Sequence, residues 1–427
     1  MKNNKMKIGA VVGFTGAMIA FYIGAGFATF QEVLQYEASY GNAMIVVVIT
    51  LAIIYLYTNF SFATVGSRVH VKRGGEIYDH YCGRGIGKFF DWFCAIYCYI
   101  CFFVMCGGAN STIVELFGYF GITVPNGVGA VIITVAAIAT VIFGLDGIVN
   151  ALGKLGPIIV LLILVVAIWT VCTSIGGYDQ GIKDMEAMVA DGTVATVGGN
   201  PLSEIAPWSN PIFAALSYSG FVIMWFAAFM AELGAKNKLK EVNAGVVASI
   251  ICIGGAAILC SIALICTASE SCVKDIPSLY LAMKIAPAFG VLYAVIVFCG
   301  IYTTSVPLLW TGITRITPEG TPKYKITVVI GAVIGCLIAC FVPYQGLVNF
   351  IYGTLGYVGF LLVFFMVIYD VRTKMGRKPI APQMAPFAGT PGDLELPETT
   401  EATSASNEAA KAVTGTDAGK QKEEVKS

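Results

Sequence analysis

The sequence predicts an all-α integral membrane protein with ten transmembrane helices, arranged as two five-helix halves of opposite orientation. Three observations predict it. Only 12% of the 427 residues are charged and 57% are hydrophobic, with a mean hydropathy of +0.79; a soluble domain carries about 25% charged residues. Apolar stretches recur that match the ~20 residues needed to cross a hydrocarbon core ~30 Å thick, and between Phe89 and Gly153 the only charges are Asp91, Glu115 and Asp146. Basic residues gather at alternate connections. The balance of 26 Lys+Arg against 26 Asp+Glu excludes a nucleic-acid binder that relies on a net basic surface, and the apolar runs exclude a soluble enzyme.

The spans fall at 8–37, 43–66, 89–115, 126–143, 147–173, 210–234, 244–267, 287–313, 325–343 and 346–370. They must be helices, because lipid leaves no water to satisfy backbone N–H and C=O groups and the runs are too long for barrel strands. Nineteen basic residues lie at one set of ends, among them Lys2, Arg68, Arg73, Lys154, Lys236, Arg315 and Arg372. The opposite loops hold only Lys183, Lys274 and Lys284. Positive loops stay inside, so both termini are placed in the cytoplasm of a bacterial inner membrane. The first span is expected to be retained, since its apolar run exceeds that of a signal peptide and ends in Phe30-Gln31-Glu32.

The chain then divides into a first repeat (1–173), an external loop (174–208), a second repeat (209–371) and a disordered cytoplasmic tail (372–427) rich in Pro, Ala, Thr and Glu. Five is odd, so the second half enters the membrane from the opposite side, which makes related halves an inverted repeat. Thirteen cysteines sit mostly inside spans, where they act as small hydrophobes; pairing of Cys266 with Cys272 is left open.

Each half opens on an interrupted span. Gly24, Ala25, Gly26 and Phe27 follow a helical run from Ile8 and lie ~24 Å along it, near the bilayer middle. Ser217, Tyr218, Ser219, Gly220 and Phe221 stand about ten residues into span six, again at mid-depth. Glycine costs about 1 kcal/mol in a helix interior. Such segments mark either close small-residue packing or unwound backbone whose free N–H groups and carbonyls bind a small solute and a cation.

The string Tyr22-Ile23-Gly24-Ala25-Gly26-Phe27-Ala28-Thr29-Phe30-Gln31-Glu32 resembles the opening signature of the YkvI-like family of bacterial membrane proteins, whose usual form is G-A-G-F-A-S-G-Q-E. Thr29 and Phe30 replace its Ser and Gly, which removes a glycine just past the break. That family is similar to the amino acid/polyamine/organocation transporter superfamily, and the resemblance implies a LeuT-type five-plus-five fold with spans one and six broken near mid-membrane. It implies no particular substrate. The run from Gly147 and Ile148 through Lys154-Leu155-Gly156-Pro157 resembles the fifth helix of sodium symporters, and residues 300–305 resemble a hydroxyl-bearing sodium-site stretch of span eight.

A Na⁺ coupling ion would then take carbonyls of Ala20 and Ile23, a carbonyl of Gly300 or Ile301, and the hydroxyls of Thr304 and Ser305, with Thr303 as substitute. Spacings of three and four put such groups on one helix face, although membrane Ser and Thr also bond back to their own backbone. Buried charges are costly in a membrane, which singles out Glu32 for gating or proton coupling. Glu232 fits an inner gate or an interfacial position, and Lys154 reads as a lysine snorkelling to the cytoplasmic face. Glu115 is expected to be solvated. Phe221 and Trp225 share one face of span six, and Tyr99 is preferred to Tyr97 as the aromatic against the substrate.

These features point to a secondary transporter for a small-molecule substrate, a neutral amino acid or similar, coupled to Na⁺ in preference to H⁺. A transporter-fold sensor without flux is the alternative, as is a proton-coupled permease. No H-E-x-x-H and no G-x-x-x-x-G-K-[ST] occurs, which argues against an enzyme or an ATP-driven pump.

Overall fold

The computed structural model describes residues 6–69, 75–143, 156–197 and 210–375. Span one consists of three helical pieces, Ile8–Tyr22, Ala25–Ala28 and Gln31–Tyr36, followed by a 3-10 turn over Ala38–Ala43. Spans two to five are Met44–Arg68, Glu76–Tyr119, Val128–Phe143 and Gly156–Ser174. Spans six to nine are Asn210–Lys236, Leu239–Cys266, Pro287–Ile316 and Pro322–Phe341. Span ten runs through Tyr344–Leu347, a π-helical segment Val348–Thr354, and Leu355–Lys374. Among the described residues, seven helical stretches are long and apolar enough to cross a membrane, the bent span six makes an eighth, and Ile8–Tyr22 and Val128–Phe143 are shorter apolar helices.

Sequence chemistry explains the ends and the outward face. Pro287 and Pro322 begin their helices, where the missing N–H is unpaired in any case. In span two, Ile45, Ile49 and Ile53 stand exposed at four-residue intervals, while Val47, Leu51 and Tyr55 are buried. A helix carrying exposed apolar residues on one stripe and buried ones on the other is lying between lipid and a protein core.

The packing has the symmetry that inverted halves require. Span six packs on span two, and span one packs on span seven; span six also meets span ten as span one meets span five. Likewise span eight packs on span four, and span three on span nine. Exchanging the halves turns each contact into its partner.

Further contacts tie the spans together at both ends. At one end, helix Tyr178–Ala190 is followed by Val194 and Val197, both buried. Val197 donates its N–H to the Gln35 carbonyl at 3.0 Å and lies against Gly353 of span ten. At the other end, the Lys7 N–H donates to Glu241 Oε1 at 2.9 Å, latching span one to span seven, and Arg315 of span eight pairs with Asp91 of span three.

Several expectations change here. Span six keeps helical structure through residues 217–221; its bend, 53°, lies between Asn210–Met224 and Phe226–Lys236. The Met224 carbonyl accepts the Tyr78 hydroxyl at 3.3 Å and lies 3.7 Å from Cys94 Sγ. Side chains inserted into the i→i−4 ladder are a known cause of such kinks. Cys266 and Cys272 are both free thiols. Glu115 is half-buried and accepts the N–H groups of Asp275 (2.6 Å) and Ile276 (3.2 Å), so it pins the connection between spans seven and eight where solvation was expected. Lys154, with the stretch 147–155, lies outside the described residues, as does the tail from 376.

Candidate functional site

The helical run of span one stops where Gly24 turns its N–H to the Tyr22 carbonyl at 2.9 Å. That N–H is the one a continuous helix would give to the Ala20 carbonyl, so the turn releases the Ala20 oxygen. The next piece, Ala25–Ala28, is closed by neighbours. The Ala28 carbonyl accepts Tyr293 Oη of span eight (2.6 Å) and Ser278 Oγ (2.7 Å), and Ser278 gives its N–H to the Thr29 carbonyl (3.3 Å). Thr29 Oγ1 donates to the Gly26 carbonyl at 2.8 Å and lies 3.0 Å from the Tyr344 hydroxyl of span ten. Every backbone group released inside a membrane needs such a partner.

A second interruption follows at Phe30, with φ 67° and ψ 3°. This left-handed conformation suits glycine and costs another residue about 1–2 kcal/mol. It is the position at which the resembling family carries Gly. Here a fully buried phenyl ring holds it.

The reversal at Phe30 redirects Glu32. A continuous helix would carry this carboxylate about 12 Å beyond Gly24. Instead it folds back: a Cβ on Gly26 would overlap the Glu32 carboxyl, so Gly26 makes the room that the side chain occupies. Tyr218 Oη of span six donates to Glu32 Oε2 at 3.2 Å. Glu32 is 3% exposed.

An aromatic shell surrounds this contact. The Tyr218 ring stacks on Tyr36 at 4.5 Å and lies 5.8 Å from Tyr22, while Phe221 stacks on Tyr352 at 4.5 Å and lies 6.0 Å from Tyr97. Tyr97, not Tyr99, therefore faces the centre. Tyr99 points to spans eight and nine, giving its hydroxyl to the Gly331 carbonyl at 3.0 Å and packing on Gly312. Two residues apart on a helix is more than half a turn, so the two tyrosines cannot share a face.

The span-six residues separate in the same way. Tyr218 and Phe221 join the central group. Ser217 faces span ten and donates to the Gly353 carbonyl at 2.7 Å in the π-helical segment, where displaced carbonyls are available. Gly220 is a packing glycine: a Cβ there would meet the backbone of Gly356 and Phe360. Ser219 bonds to its own helix at the Ala215 carbonyl, 2.6 Å. The Trp225 side chain lies outside the described residues. Gly24 has open space at its Cβ position, and Ala25 and Phe27 are buried within the break.

The oxygen set proposed for a cation lies where spans one, five and eight converge, with Ala20 against Gly156 and Gly300 against Ile159. Thr303 and Thr304 both donate to the Gly300 carbonyl (2.8 and 3.0 Å), and the buried Ser305 donates to Ile301 (2.7 Å). Each hydroxyl oxygen keeps its lone pairs when it donates its proton, so Thr304 and Ser305 retain the donor chemistry a hard cation needs. Ala20 has a carbonyl released at the break, and Ile23 stands at the C-terminal edge of the same helix. Glu232 pairs with Lys236 at 2.7 Å, one turn on, near the C-terminal end of span six.

Sequence reading missed Glu37. It is fully buried, and neither carboxylate oxygen has a hydrogen-bond partner. Its place at the predicted end of a span suggested solvent, and no local pattern distinguishes it from a surface carboxylate.

Among solved structures, the chain is similar to MhsT in complex with L-phenylalanine (TM-score 0.54, 13% identity, covering 94% of this chain and 97% of that one). The chain has the LeuT-type fold. It is also similar to the Eremococcus coleocola manganese transporter in complex with an aromatic bis-isothiourea substituted compound (TM-score 0.52, 12% identity, 95% of this chain and 85% of that one). No protein-family model matches, and no curated protein matches. Identities this low speak for the LeuT-type architecture alone; the YkvI-like resemblance stays with its eleven residues.

Proposed function

We propose that this chain is a secondary transporter that moves a small solute across the bacterial cytoplasmic membrane by alternating access, with both termini inside. The observation that carries the reading is the contact between the interrupted span one and span six, Glu32 with Tyr218, at the centre of a LeuT-type fold. Solute recognition falls to residues 24–27, Tyr218, Phe221 and Tyr97. The aromatic shell suits a neutral amino acid or a solute of similar size, and L-phenylalanine is the ligand in the MhsT complex. Coupling to Na⁺ is assigned to the oxygens of Ala20, Ile23, Gly300, Ile301, Thr304 and Ser305. Binding there would hold spans one and eight together while the bundle rocks.

The test is uptake by purified protein in proteoliposomes, using a panel of labelled amino acids and an inward Na⁺ gradient against a choline control. Na⁺-dependent accumulation, lost in Thr304→Ala with Ser305→Ala, is the expected result. Saturable binding of a panel member without accumulation overturns the carrier reading in favour of a sensor on the same fold.

A further inference from the structure

Glu32 and Glu37 stand five residues apart at the outer half of span one, 3% and 0% exposed. Two ionised carboxylates so placed would be costly, because desolvation penalises each charge and each charge repels the other. Protein cations do not offset this. Among the described residues no Lys, Arg or His acts on either group; Glu32 has the single hydrogen bond from Tyr218, and Glu37 has none.

The ionisable side chains that interact electrostatically with the pair are Tyr22 and Tyr36 of span one, Tyr218 of span six, Cys260 of span seven, Cys101 of span three, and Tyr344 and Tyr352 of span ten. All are neutral or acidic. The external helix over residues 38–43 carries Asp179, Lys183, Asp184 and Glu186, and Lys183 is turned to solvent. Lys274, whose carbonyl accepts Gln31, directs its ammonium over the Tyr280 ring instead.

Nor do the described residues contain any group of three or more His, Cys, Asp or Glu side chains arranged to hold a metal ion. The Glu32 carboxyl also fills the space beside Gly26. A proton needs no room and no further ligands, and it removes the charge that burial disfavours.

We propose that Glu37 and Glu32 form a proton-binding pair in the outer half of span one, loaded from the external side. Glu37 lies nearer the outside, where residues 38–43 meet the external helix through Gly41 and Ile182. A proton reaching Glu37 from external water neutralises it, and Glu32 lies five residues inward, beside the break. The pair therefore links protonation to the segment that must move in alternating access. That use in transport rests on the proposed function; the binding of the proton does not.

The experiment is infrared spectroscopy of the full chain in lipid at neutral pH, with no solute added, reading the C=O stretch of protonated carboxyl groups and its shift in heavy water. Wild type is expected to show the band, and Glu37→Gln and Glu32→Gln are each expected to weaken it. Absence of the band in wild type, or a band unchanged in Glu37→Gln, overturns the proposal. Should Glu37→Gln not fold, Glu37→Asp keeps a carboxyl and moves its frequency; an unmoved band then overturns it. Uptake that fails while the band behaves as expected removes the transport reading and leaves the proton site standing.

Discussion

Tyr218 of span six donates its hydroxyl to Glu32 of span one across 3.2 Å, joining the two halves of the molecule at the point where span one is interrupted. The bond is possible because Gly26 has no side chain and Phe30 reverses the backbone. Tyr218→Phe keeps the ring and its stacking on Tyr36 but leaves a buried carboxyl without its donor. A loss of about 1–3 kcal/mol is expected, read as a lower thermal midpoint in detergent, with slower uptake in proteoliposomes.

Gly24 and Gly26 separate by size alone. Gly24 has an extended backbone and open space at its Cβ position, so Gly24→Ala is expected to leave thermal stability nearly unchanged. Gly26→Ala places a methyl group on the Glu32 carboxyl and is expected to cost about 1–3 kcal/mol. Equal midpoints for the two variants would contradict the folded-back position of Glu32.

Phe30 sets a backbone cost against a buried ring. Phe30→Gly relieves about 1–2 kcal/mol of left-handed strain but removes a ring whose truncation costs about 3–5 kcal/mol. Net destabilisation is expected, together with faster hydrogen exchange across residues 23–37 than in wild type.

Tyr97 and Tyr99 are two residues apart yet face different partners. Tyr97→Ala opens the shell beside Phe221 and is expected to raise KM for the transported solute. Tyr99→Ala removes the hydrogen bond to Gly331 and is expected to lower stability with KM unchanged. Kinetics of solute uptake by the two variants decide between these faces.

In the connection between spans seven and eight, the Lys284 ammonium holds the Glu270 carboxyl below its usual range, and the same contact raises Lys284. The pair's stability contribution is therefore present above the ordinary carboxylate range. It is lost as pH falls through the lowered Glu270 value, and lost again as pH rises through that of Lys284. Both side chains are about half exposed (51% and 46%), so Glu270→Gln is expected to cost no more than about 1 kcal/mol at neutral pH, and less in high salt.

The sequence by itself determined the spans, their helical character and the opposed halves, because lipid accepts only apolar, internally hydrogen-bonded segments and leaves that demand visible in hydropathy. It also marked the first break, since two glycines one residue apart, Gly24 and Gly26, weaken a helix locally. Only the tertiary structure decided the rest. The span-six bend lies where Tyr78 reaches the Met224 carbonyl from a distant helix, with no Gly or Pro at 224–226 to announce it. Likewise Gly220 serves packing against span ten rather than unwinding. The inward turn of Glu32 needed a left-handed Phe30, a conformation its residue type argues against. Glu37 reads as an ordinary carboxylate at a span end, and only the folded structure buries it. Hydropathy records how each segment meets lipid, whereas the site depends on which helix faces meet one another, and those contacts join residues far apart in the chain.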